Sequence, residues 1–222
     1  YTPDPNAWLA RLHAEAVRGL RLHHLRGDTT GISDRMTVPF VGGGGRWRIE
    51  AVKGDRSDLW EARWTVTRRD EPDRRIWTVT YGRAAEAVAP SAPPSYDLRA
   101  LRAGLARTLD AIAAFARAQH LGSFAAAFAR SLDVLSAEAP PTGHAFGGLP
   151  LSRLPLPARQ LLGAVEAGWV FGGMGSWNDL GFEGSAQATY NRLSEALFEQ
   201  FNAALVVAAN SSAPTLPGSA ST

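Results

Sequence analysis

Hydrophobic and polar positions follow two rhythms along this chain, and the change between them falls near residue 90. Before it, apolar side chains alternate with polar ones. Within 46–53, Trp47, Ile49 and Ala51 point one way and Arg46, Arg48 and Glu50 the other. Within 59–69, Trp60, Ala62, Trp64 and Val66 oppose Glu61, Arg63, Thr65 and Thr67; within 75–83, Trp77, Val79 and Tyr81 oppose Ile76, Thr78 and Thr80. A period of two marks strands buried on one side only. After the change, apolar residues recur every three or four positions, as on one face of a helix. Leu98, Leu101, Leu105, Leu109, Ile112 and Phe115 form one stripe. A second runs through Phe124, Phe128, Leu132 and Leu135, after Gly122 and with Ser123 as its cap. A third follows Pro157 through Leu161, Leu162, Val165 and Trp169, and a fourth joins Tyr190, Leu193, Leu197, Phe201, Leu205 and Ala208.

Ahead of the strands, Leu9, Leu12, Ala16 and Leu20 predict a helix over about 6–24, capped by Asn6 and ended by Gly27 and Asp28. A weaker strand is expected over 36–41, with Gly42–Gly45 as a hairpin tip and a turn over 70–74. Short connections favour neighbouring antiparallel strands. The expected fold class is therefore α+β: an N-terminal helix packed on the Trp-rich face of a small antiparallel β-meander, then a C-terminal four-helix, alanine-rich segment. The expected divisions are helix plus sheet over 1–88, a Pro-rich linker over 89–95, a helical bundle segment over 96–210, and a disordered tail over 211–222.

Charge sharpens this division. Of the 23 Lys+Arg and 21 Asp+Glu, residues 1–90 hold 15 and 12, leaving 8 and 9 for the longer remainder. The net charge of +2 gives little pull on nucleic acid or anionic lipid. Cysteine is absent, which removes Cys-based zinc sites, iron–sulfur clusters and thiol nucleophiles and fits the cytoplasm best. No stretch of 18 apolar residues predicts a membrane span, and no basic-then-apolar leader predicts a signal peptide; an opening at Tyr1 leaves a removed leader open.

The segment Gly172–Gly184 is the most unusual, with Ser176, Trp177, Asn178 and Asp179 set among glycines. Glycines let backbone approach a ligand, the polar trio could orient it, and Trp177 could stack on it. Equally, those polar groups could close local turns while Trp177 and Phe182 plug the base of the bundle. The glycine pattern is neither a Walker A loop, a nucleophile elbow nor a Rossmann fingerprint. The histidines show no metal-ligand spacing, and His144 is a lone loop histidine. Carboxylates at Asp55, Asp58, Asp70, Glu71 and Asp73 read as turn and surface chemistry. No cofactor, metal or catalytic residue is implied.

The alternation also sets Arg46, Arg48 and Arg63 on a polar sheet face, away from the tryptophans. That separation, with Glu50 and Glu61 among the arginines, argues against base stacking on a nucleic acid and leaves the face for another protein. The leading expectation is a non-enzymatic protein-binding or accessory protein with Arg46, Arg48 and Arg63 as contacts. The alternative is a small-molecule-binding protein or enzyme with its site at 172–184.

Overall fold

The alternating segments pair as a four-stranded antiparallel meander in the order β1-β2-β3-β4, seen in a computed structural model that describes residues 4–27, 31–66, 76–91, 97–140 and 151–211. The strands are β1 (Gly19–Leu25), β2 (Arg46–Val52), β3 (Ser57–Val66) and β4 (Trp77–Val88). Helix α1 (Pro5–Ala14) precedes them, with the Asp4 carboxylate accepting from Ala7 N–H as its cap. The chain forms two compact units: the sheet with α1, and a helical unit made of 27–45 and 94–212.

Two elements differ from the sequence reading. The first helix ends at Ala14, and the residues expected to continue it form β1. Leu12, Ala16 and Leu20 share a helical spacing, but Leu20, Leu22 and His24 also alternate with Arg21 and His23. Pairing with β2 selects the second pattern, in the register Leu20↔Ala51, Leu22↔Ile49 and His24↔Trp47. Ala16 turns the chain with φ 61°, a left-handed conformation a continuing helix cannot contain. His23 and His24 therefore point to opposite sheet faces. The second difference lies at 36–41, where the expected strand is replaced by the short helix α2 (Asp34–Thr37) and turns. Polar side chains coil this segment on itself: Asp34 accepts from Gly27 N–H, and Thr37 Oγ1 donates to Asp34 O while accepting from Gly44 N–H. A Cβ at Gly43 would lie 1.8 Å from Thr37 O, so the turn requires glycine there.

Helix α1 does pack on the tryptophan face. Trp8 meets Trp60 edge-on at 5.5 Å, Leu12 is buried, and Glu15 joins Lys53, Asp58 and Arg83 in an ion-pair network. Asp58, read as turn chemistry, is instead a buried strand residue; its carboxylate accepts from Ala87 N–H at 3.0 Å, where β3 and β4 slip register.

The helical unit contains α3 (Leu98–Ala118), α4 (Gly122–Ser136), α5 (Leu156–Gly168) and α6 (Gly184–Asn210); their apolar stripes build one main core, but Leu162 and Ala208 belong to a smaller cluster with Leu151 and Ala158, and Trp169, expected to face inward, caps the end of α5 at 36% exposure. Leu105, Leu109, Phe128, Leu161, Leu197 and Phe201 are fully buried in the main core. Small residues set the spacing. A Cβ on Gly168 would meet Ser131 at 2.7 Å and Phe201 at 2.9 Å, and Ser131 Oγ donates to Ala164 O across α4 and α5. Ser123 is not the cap of α4; the helix starts at Gly122, with Leu121 before it. No described helix is long and apolar enough to cross a membrane. The turn at 70–74, the linker beyond Ser91, the loop with His144 and the tail beyond Ser211 lie outside the described residues.

Candidate functional site

The Gly-rich segment joins α5 to α6 and turns inward. Gly175, at φ 82°, bends the chain so that Trp177–Asp179 forms a single 3-10 turn. Trp177 is fully buried, ringed edge-on by Phe124 and Phe128 at 5.1 Å and by Phe115 at 6.4 Å. Its indole N–H donates to Ser194 Oγ at 2.7 Å, and its carbonyl accepts from the Tyr190 hydroxyl. No face of this ring is open for stacking on a ligand. Trp177 fills the bundle base, and Phe182 packs beside it against Phe115 and Tyr190.

The polar neighbours of Trp177 are equally engaged. Ser176 Oγ donates to Gly172 O at 2.9 Å and accepts from Asn178 N–H at 3.3 Å. Asp179 accepts from Gly175 N–H. Asn178 reaches α2: its Oδ1 accepts from Arg35 Nη1 at 2.8 Å and its Nδ2 donates to Arg35 O at 2.9 Å. Arg35 is buried, donates from Nε to Glu195 at 3.0 Å, and lies over the Tyr190 ring at 5.4 Å. Burial pushes the Tyr190 phenol above the usual tyrosine range, against the pull of Arg35, so it stays a neutral donor. Sequence reasoning missed Arg35. An arginine flanked by an acidic residue and a methionine reads as surface, and only the coiling of 31–45 turns it inward.

The sheet faces differ from each other. On the polar face, Arg48 pairs with Glu61 through Nε at 2.8 Å and Nη2 at 2.5 Å, so this arginine is already occupied. Arg46 and Arg63 are exposed. Farther along the same face, Glu50 is fully buried. It accepts from Ser91 N–H and bonds His23 Nε2, both at 2.8 Å, while Arg21 donates to Ser91 O at 2.7 Å. Burial alone would raise the Glu50 carboxyl; the His23 and Ser91 bonds outweigh it and hold it at about 2.

At the outer end of the sheet the tryptophan face is uncovered. β2 pairs with β3 only as far as Arg48↔Glu61, whereas β3 and β4 continue through Ala62↔Tyr81, Trp64↔Val79 and Val66↔Trp77. These outer rungs form a two-stranded arm. Trp64 (47% exposed), Val66 (39%), Trp77 (41%), Val79 (41%) and Tyr81 (47%) lie on one side of it, beyond the Trp60 position where α1 packs. At aromatic side-chain areas of 150–250 Å², the exposed part of these five residues comes to roughly 400 Å². Patches of that size on a monomer are often functional. The alternation made this ladder visible in the sequence, but α1 was expected to cover the face it lies on.

Among the described residues no group of three or more His, Asp or Glu is placed to hold a metal ion. No family model matches the chain, and neither a curated protein nor a solved structure shows significant similarity to it.

Proposed function

We propose that this chain is a non-enzymatic binding or accessory protein that recognises another protein, and that its contact surface is the apolar side of the β3–β4 arm. The observation that supports this reading is the exposure of Trp64, Val66, Trp77, Val79 and Tyr81 on one side of two paired strands. Two tryptophans and a tyrosine supply the residue types that dominate binding energy at protein interfaces. The partner surface would be apolar and aliphatic or aromatic. The arginine face plays a secondary part in this reading: Arg63, on the opposite side of the arm, and Arg46 would lie at the rim. The cytoplasm suits a cysteine-free chain and is part of the proposal.

The test is a photo-crosslinking amino acid placed at Val79, on the apolar side, or at Thr80, on the other, in the full chain expressed in its source cells. Protein adducts from position 79 and not from position 80 support the reading. Equal adducts from both positions, or none from either, overturn it.

A further inference from the structure

The five exposed side chains are not scattered. Each rung of the arm pairs one large residue with one small one, and the large residue changes strand at every step. Tyr81 on β4 faces Ala62 on β3, Trp64 on β3 faces Val79 on β4, and Trp77 on β4 faces Val66 on β3. Along β3 the order is small, large, small; along β4 it is large, small, large.

Such a checkerboard is complementary to itself under one particular operation. A two-fold axis running along the strands, in the plane of contact, lays β3 of one copy on β4 of the other, rung on matching rung. Every aromatic residue then meets a small one: Trp64 over Val79, Trp77 over Val66, Tyr81 over Ala62. A two-fold axis across the strands instead lays β3 on β3 and brings Trp64 onto Trp64. The first arrangement is the aligned, face-to-face packing that paired sheets adopt, and it is isologous, as a closed dimer requires.

We infer that the occupant of the apolar side of the arm is a second copy of this chain, in a two-fold dimer with β3 of each copy on β4 of the other. This inference rests on the contact surface proposed above. The area sets its strength. Two patches of roughly 400 Å² give about 800 Å² in all, below the 1,200 Å² at which stable interfaces begin, so the dimer is a weak, reversible one.

Sedimentation equilibrium of the purified full chain over about 1–300 μM tests this directly. The expected result is a monomer–dimer equilibrium in that range. Trp64→Glu or Val79→Glu should weaken it at least about tenfold, and Thr65→Glu, on the opposite side, should leave it unchanged. Far-UV circular dichroism of each variant separates lost association from lost folding. Orientation is read by placing the photo-crosslinker at Val79, mixing unlabelled and nitrogen-15-labelled protein, and mapping the mixed-isotope adducts. Adducts on 62–66 of the other copy support the two-fold proposed, whereas adducts on β4 of the other copy overturn it. A chain that stays monomeric to 300 μM overturns the self-association. If position 79 still yields an adduct with a different protein in cells, the contact surface stands and only the identity of its occupant falls. If neither occurs, both fall.

Discussion

The Gly-rich turn and the β3–β4 arm both carry tryptophan, and they use it in opposite ways. At the turn, Trp177 is enclosed by Phe115, Phe124, Phe128 and Tyr190, and its N–H is bonded to Ser194. On the arm, Trp64 and Trp77 stand 47% and 41% exposed. The turn looked like a site because its composition is rich in polar groups and glycine. Its polar groups are instead satisfied by its own backbone and by Arg35. A region that has met its own bonding and burial needs has little left to offer a ligand. The arm has not met its needs, and exposed apolar area is what association removes from water.

The contrast is broken most severely at Trp177. Trp177→Ala should destabilise the chain by about 3–5 kcal/mol, the usual range for emptying an aromatic site in a core. Urea denaturation followed by circular dichroism measures it. A change below about 1 kcal/mol would mean the ring is not the plug its surroundings make it, and would reopen the turn as a ligand site.

The root of the sheet supplies the next test, because Glu50 shows what a satisfied charge contributes beneath an unsatisfied arm. Its folded carboxyl sits near 2, below the ordinary 4.5. A depressed carboxyl adds stability above its unfolded value and loses it as pH falls through the folded one. The contribution at neutral pH is on the order of 3 kcal/mol. Glu50→Gln should therefore be less stable than the parent at pH 7, and the gap should narrow as pH falls from about 4.5 toward 2. Glu15 and Asp58 are also held below their ordinary values by Lys53 and its neighbours, so both proteins keep some acid sensitivity.

Arg35 sharpens the comparison on the turn's side. Arg35→Met keeps the stem and removes the guanidinium, leaving the buried Asn178 Oδ1 without its donor. Loss of about 1–3 kcal/mol is expected. Glu195→Gln should lose under about 1 kcal/mol, since its amide oxygen can still accept from Arg35 Nε and the site is 38% exposed on the Glu195 side. Equal losses would show that the ion pair, and not the Asn178 bond, holds α2 in place.

Much of this was legible in the residues. The two periodicities located three of the four strands and all four long helices, because packing against one face leaves a direct imprint on the pattern. The alternative reading of Trp177 and Phe182 as a plug was equally available. What escaped was decided by pairing. Leu20 fits a helix or a strand, and only β2 chooses between them. The coil of 31–45 depends on side-chain bonds from Asp34 and Thr37 to backbone seven residues away, which no period reports. The reach of α1 escaped for the same reason: once residues 19–25 join the sheet, a ten-residue helix remains, and it packs at Trp60 while the outer rungs stay bare.

The substitutions most telling for function are those on the arm. Trp64→Ser and Trp77→Ser remove side chains already about half in water, so each should cost about 1–3 kcal/mol of unfolding free energy, less than emptying the Trp177 site. The β3–β4 backbone ladder is untouched by either change. The same substitutions should abolish the contact made by position 79, because they remove two of the three large residues the arm presents. A buried tryptophan behaves in the opposite way, losing stability first. Finding both variants cooperatively folded, with urea midpoints lowered less than that of Trp177→Ala, yet unable to associate, would separate the arm's role from the fold's. A large loss of stability at either position would instead assign those tryptophans to the core and leave the arm without its surface.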